Sequence, residues 1–255
     1  MKFILALALI VRAVHGQQSM FAGEDGVISQ IADGDGWKTS ISLNNIDATP
    51  SQYKLSFFSD SGTPLSLQTN FGTGTFVYGT IPPRGSVTIE TAGTSVSLSQ
   101  GWGLMETIFL VPGTSSTIAP GATIAGTVLY FRPPTVPRPT EASEPVDFSL
   151  EGQWVLPFDH LNGYSSGVAL LNHVMYQDIS VFITILDQNG NQIVLDSITL
   201  LRGQHLAFTL TQKYPQTIGL RGTVRIQTSA ISVNVLGLHI SPSGVISSTS
   251  PTSWF

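Results

Sequence analysis

Cysteine is absent from the 255 residues. No disulfide, thiolate nucleophile or cysteine-based metal site is therefore available. Charge is scarce as well. Asp, Glu, Lys and Arg make up 11% of the chain, against about 25% in ordinary soluble domains, so the polar surface must come from Ser, Thr, Asn, Gln and Gly. The net charge of -5 comes without a long basic run, which argues against nucleic acid or an anionic membrane as a partner. Beyond the N-terminus no stretch reaches the ~20 apolar residues of a membrane-spanning helix. Helical periodicity is also missing, apart from one short turn expected near Gln212 to Pro215. Chemical signatures are equally thin. GTGTF at Gly72 to Phe76 lacks the Lys-Ser/Thr of a phosphate-binding loop. His160, His173, His205 and His239 fall in no metal-ligand spacing.

What is present begins with MKFILALALIVRAVHGQQ. Lys2 supplies a positive start, Phe3 to Val11 a short apolar run, and Val14 and Gly16 small residues at the -3 and -1 positions. That pattern reads as a signal peptide, residues 1–16, cleaved before Gln17. It predicts a secreted, extracellular or cell-surface protein. Arg12, at the end of the apolar run, is atypical. The competing reading is a buried N-terminal strand.

The mature chain contains one pattern twice. Ile31 to Asn45, IADGDGWKTSISLNN, is a variant of Phe158 to Asn172, FDHLNGYSSGVALLN. Gly36-Trp37 aligns with Gly163-Tyr164, and Asn45 with Asn172. Each reads as strand, Gly-rich turn, aromatic, strand. Period-two alternation recurs along the chain: Ile41 and Leu43 against Ser40, Ser42 and Asn44, then VTIET from Val87 and ISVFITIL from Ile179. Asp60-Ser-Gly62 and Asp187-Gln-Asn-Gly190 mark hairpins in equivalent places. Arg84-Gly85 aligns with Arg202-Gly203. Each copy has about seven strands at the spacing of a sandwich. The expected fold is all-β, two tandem immunoglobulin-like antiparallel β-sandwich domains. The first spans 17–132 and the second 147–255, joined by a Pro-rich linker, 133–146, whose PPTVPRPTEASEP favours extended chain.

VLPFDHLNGYSSGVALLN, DQNGN, LLRGQH, LRGTVRIQT and ISVNVLGLHI in the second copy resemble a β-rich repeat module of secreted and cell-surface proteins of soil bacteria, Acidobacteria-like ones especially. The first copy, with FFSDSGTPL, IPPRGSVTIET and GTVLYFRPP, is similar to its usual upstream partner. The resemblance implies export, β-sandwich folding and no enzymatic activity, and it carries no catalytic residues across. Asp35 and His160 depart from its pattern.

Four features could carry function. Asp33 and Asp35 could begin a calcium loop, because hard cations take closely spaced carboxylate and carbonyl oxygens; the competing reading is a turn whose carboxylates cap backbone N–H groups. Trp37 and Tyr164 could stack on sugar rings; the competing reading is that they close the end of each core. Asp159-His160 near Ser165 or Ser166 could serve a hydrolase, but adjacent strand residues point to opposite faces, and neither serine is read as lying in a G-x-S-x-G nucleophile elbow. Glu90, Glu106, Asp159 and Asp196 show no spacing that marks a glycosidase pair. The expectation is a non-enzymatic structural or binding protein whose partner is a surface glycan or a protein. A carbohydrate-binding module is the alternative, and a hydrolase a more distant one.

Overall fold

The computed structural model describes residues 26–109, 117–118, 124–133, 140–148 and 151–253. The expected signal peptide, residues 1–16, lies outside them. The first unit comprises β1 (Gly26–Asp33), β2 (Lys38–Asn45), β3 (Ser51–Ser59), the small hairpin β4 (Leu67–Thr69) and β5 (Gly72–Gly74), β6 (Phe76–Ile81), β7 (Ser86–Glu90), β8 (Ser99–Phe109) with the short β9 (Thr117–Ile118) beside it, β10 (Ile124–Arg132) and β11 (Thr140–Pro145). The second comprises β12 (Gln153–Asp159), β13 (Ser165–Asn172), β14 (Ile179–Asp187), β15 (Gln192–Leu200), β16 (His205–Thr209), α1 (Leu210–Lys213), β17 (Arg221–Thr228), β18 (Val233–Ile240), β19 (Ile246–Thr249) and β20 (Thr252–Ser253). α1 sits where the sequence predicts its one helical turn. Among the described residues no helix is long and apolar enough to cross a membrane.

Among the described residues all the strand pairs are antiparallel, and one strand order occurs twice. In the first unit the sheets run β1-β8-β3-β6 and β11-β10-β2-β7; in the second they run β12-β17-β14-β15 and β19-β18-β13-β16, with β20 added beside β12. Numbered within a unit, the orders are 1-6-3-4 and 8-7-2-5. The central pairs, second with fifth and third with sixth, are those of an immunoglobulin sandwich. The flanking strands are not. The first lies beside the sixth and the seventh beside the second, so these two have exchanged sheets relative to the immunoglobulin order.

Ile41, Leu43, Ile89 and Val128 from one sheet meet Ile28, Leu55, Phe57 and Met105 from the other in a single buried cluster. Each such side chain stabilises by about 1.5–3 kcal/mol when fully removed from water. At one end of each core stands a buried asparagine. Asn45 Nδ2 donates to the carbonyls of Thr49, Ile81 and Pro82, and its Oδ1 accepts from Asp47 N–H. Asn172 repeats the set with Gln177, Leu200, Leu201 and Val174. The polar residue is tolerated in the interior because its hydrogen bonds are made there.

The two units share a broad junction. β2 alternates between buried and solvent-facing residues, whereas β13 is buried on both faces. Val168 and Leu170 enter their own core, while Ala169 and Leu171 face the first unit. β13 and β18 lie against the outer strand β1, and β19 lies against the outer strand β11, where Thr140 Oγ1 accepts from Ile246 N–H; this protects edges that would otherwise offer unpaired N–H and C=O groups. Trp102, fully buried, stacks on Phe58 at 4.3 Å and donates its indole N–H to Gly203 O at 2.9 Å. The Asp60 turn docks beside it: Asp60 O accepts from His205 N–H, and its carboxylate meets His205 Nδ1 at 2.8 Å.

The stretch expected as a linker, 133–146, needs correction. Thr140–Pro145 is strand β11, paired with β10 along its whole length. Thr140, Ala142 and Glu144 point inward. Glu144 is placed by a bulge in β1, where Ser29 and Gln30 stand opposite Trp102 alone. The N–H groups of those two residues, turned out of the ladder, both donate to Glu144 Oε1, as does the Tyr130 hydroxyl. Burial pushes the Glu144 carboxyl up to about 7, against the pull of those donors.

Candidate functional site

The aligned turns take the same form. Gly34 to Trp37 and Leu161 to Tyr164 each place their two central residues at positive φ, Asp35 and Gly36 in one, Asn162 and Gly163 in the other; Gly34, at φ +92°, adds a third in the first. Trp37 N–H donates to Gly34 O and Tyr164 N–H to Leu161 O. Two left-handed central residues define the type I′ turn that Asp-Gly and Asn-Gly favour. The aromatics that follow are equivalent in position but differently engaged. Trp37 is half-buried at the junction under the Arg132 guanidinium, 5.7 Å from its ring centre. Tyr164, 37% exposed, stacks on His239 at 4.9 Å. Each ring already has a partner on one face.

Asp33 is buried, and its Oδ1 accepts from Gly93 N–H at 2.7 Å. Asp35 is exposed in the turn; its N–H donates to Ser95 O, and its carbonyl accepts from Arg132 Nη2. Among the described residues no three His, Asp or Glu side chains gather as a metal site. Asp33 acts as a backbone cap.

Asp159, His160 and Ser165 are neighbours without being a relay. Asp159 pairs with Arg221 at 2.9 Å and caps Leu161 N–H, and its carboxyl is held below the usual range, chiefly by the hydrogen bond from Arg221. His160 Nδ1 lies 3.1 Å from Thr217 O, which only accepts, so Nδ1 carries the proton. Its Nε2 accepts from Ser166 N–H. Both ring nitrogens are thereby committed to backbone, and burial lowers the imidazole pKa. Gly163-Tyr164-Ser165-Ser166-Gly167 does fit the letters G-x-S-x-G, a match the sequence reading missed. A nucleophile elbow joins a strand to a helix, whereas Ser165 follows a type I′ turn and opens β13, with its hydroxyl on Thr211 Oγ1.

The structure brings together aromatics to which the sequence reading gave no role. On β6, an outer strand on the side away from the second unit, Val77 and Ile81 point inward and Phe76 and Tyr78 outward. Tyr78 is 72% exposed, Phe76 48%, and Phe71 at the neighbouring hairpin 52%. The Phe76 and Tyr78 rings lie 6.2 Å apart. With Phe71, Gly72 and Thr73 they line a recess of about 290 Å³. Lys54, opposite Tyr78 on β3, sits 5.8 Å from the Phe76 ring centre and pairs with Glu106 at 3.0 Å. Strand alternation in FVYGTI was the available signal. It was obscured by the Gly/Thr-rich residues just before it, GTGT at 72–75, whose composition favours a turn over a strand.

Comparison of the chain with protein-family models and with curated proteins gave no match.

Proposed function

We propose that this is a secreted, non-enzymatic protein of two β-sandwich units that binds a glycan at the cell surface or in the extracellular matrix, through Phe71, Phe76 and Tyr78. The observation that carries the reading is the outward pair Phe76 and Tyr78, two residues apart on one strand beside a recess. Clustered exposed aromatics on a soluble protein mark a contact surface. Planar rings meet the C–H faces of sugars, and the nearby polar groups of Lys54, Gln52 and Thr80 suit hydroxyls. The glycan role expected of Trp37 and Tyr164 therefore passes to these three residues. Export rests on the leader pattern at 1–16, and the non-enzymatic reading on the resemblance to the bacterial repeat module. The two units are copies of one immunoglobulin-like folding unit, a variant in which the first and seventh strands trade sheets; the twice-used strand order and the matched Asn45 and Asn172 support this.

The test is retention of the chain from Gln17 onward on insoluble polysaccharides and bacterial cell walls, with and without calcium. Calcium-independent retention, competed by soluble oligosaccharide, is the expected result. If no polysaccharide retains it, the glycan reading is lost and the aromatic face becomes a protein contact.

A further inference from the structure

A second cavity, of about 320 Å³, lies at the junction of the two units, away from β6. We propose that it binds an uncharged, mainly apolar small molecule. Its walls come from both units: Trp37, Leu98 and Tyr130 on one side, Ala169, Phe208 and Leu238 on the other. Its size falls within the range of small-molecule pockets. Among the described residues no Asp, Glu, Lys, Arg or His lines it. A charged ligand would leave water there with no counter-charge, and burying an unpaired charge is strongly unfavourable.

The cavity has a cause in the sequence. Along the outward face of β13 the residues facing the first unit run Gly167, Ala169, Leu171. Leu171 packs with Trp102 and seals that end of the junction. Gly167 and Ala169, with Ala207 and Ala142 nearby, leave the other end unfilled. Protein interiors otherwise pack to crystal-like density, and apolar cavities prefer apolar guests to water. The polar lining consists of neutral groups, among them the amides of Gln30, Gln100 and Gln212. Thr209 also lines the cavity, and its buried hydroxyl has no hydrogen-bond partner among the described residues. That combination suits a hydrocarbon or aromatic body carrying one hydroxyl or carbonyl.

The test uses the whole mature chain and two fluorescent probes, uncharged N-phenyl-1-naphthylamine and anionic 8-anilinonaphthalene-1-sulfonate. The uncharged probe should bind saturably, one per chain, with energy transfer from tryptophan that falls in Trp37→Phe. Ala207→Phe, at an exposed position on the rim, should weaken binding at least tenfold while Tm holds. Ala169→Leu, which fills the cavity from within, should do the same. Tyr78→Ala should leave probe binding unchanged, which separates this site from the glycan face. Absence of saturable binding, preference for the anionic probe, or equal binding in Ala207→Phe and Ala169→Leu would each overturn the proposal.

Discussion

Arg84 and Gly203 hold the same place in the two units. Arg84 N–H donates to Asp47 O and Gly203 N–H to Val174 O, and both residues are left-handed, at φ +55° and +68°. Sequence alignment pairs Arg84-Gly85 with Arg202-Gly203; the hydrogen bonds shift the match by one. Left-handed backbone costs a residue with a Cβ roughly 1–2 kcal/mol, partly offset by the greater entropy glycine loses on folding. Arg84, exposed and strained, should therefore improve on replacement: Arg84→Gly is expected to stabilise by about 0.5–1 kcal/mol. Gly203→Ala is expected to destabilise by at least about 2 kcal/mol, because its Cβ would fall 2.6 Å from Met175 Sδ and 3.2 Å from Gly62 Cα. Urea unfolding of both variants checks the pair, and equal effects of one sign would refute the shifted match.

Asn45 and Asn172 each serve three carbonyls and one N–H from the interior. Asn45→Ala and Asn172→Ala should each cost about 2–4 kcal/mol, and similar losses at the two sites are expected from denaturant midpoints. A loss under 1 kcal/mol at either would mean that water replaces the amide there.

Trp102 ties the units together by packing and by one hydrogen bond to Gly203. Trp102→Phe removes the bond and should cost about 1–2 kcal/mol; Trp102→Ala also leaves a cavity and should cost about 3–5 kcal/mol. The wild type should unfold in one calorimetric transition, since the edges of the first unit are covered by the second. Two separated transitions in the wild type would contradict that.

Glu144 gives a pH dependence of known sign. The folded state holds its proton more tightly than the unfolded chain, so its contribution is full below about pH 4.5 and is lost as pH rises to about 7. The limit is on the order of 3 kcal/mol. His160 and His173, whose pKa values burial lowers, act in the opposite direction: they favour the unfolded chain as pH falls through about 6.5. The difference between wild type and Glu144→Gln isolates the carboxyl. Wild-type stability should fall relative to the variant between pH 4.5 and 7.5; a flat difference would place the ionised form on equal terms with the neutral one.

Much of this was legible in the sequence because it was local. The paired turns, the hairpin at Asp187, the helical turn after Thr209 and the equivalence of Asn45 with Asn172 all depend on short patterns. The contrast between SISLN in β2 and VALLN in β13 also encoded the junction, since a strand without polar alternation must be covered on both faces. That inference required knowing what would cover it. β11 was hidden because the prolines before it dominate the composition and because Glu144 occupies an inward position, where an acid argues against a strand unless its donors are known. Two of those donors come from a bulge more than a hundred residues earlier, and the third is the Tyr130 hydroxyl on β10. The exchange of the first and seventh strands between sheets is a matter of long-range pairing, which alternation within a strand does not record.

The most direct test of the functional account compares three variants on one insoluble polysaccharide that retains the wild type. Phe76→Ala/Tyr78→Ala should lose at least tenfold in retention, with an unchanged Tm because both side chains face solvent. Trp37→Ala and Tyr164→Ala should bind like the wild type. Loss of binding in Trp37→Ala or Tyr164→Ala, with Phe76→Ala/Tyr78→Ala unaffected, would contradict the account and return the sugar to the paired turns.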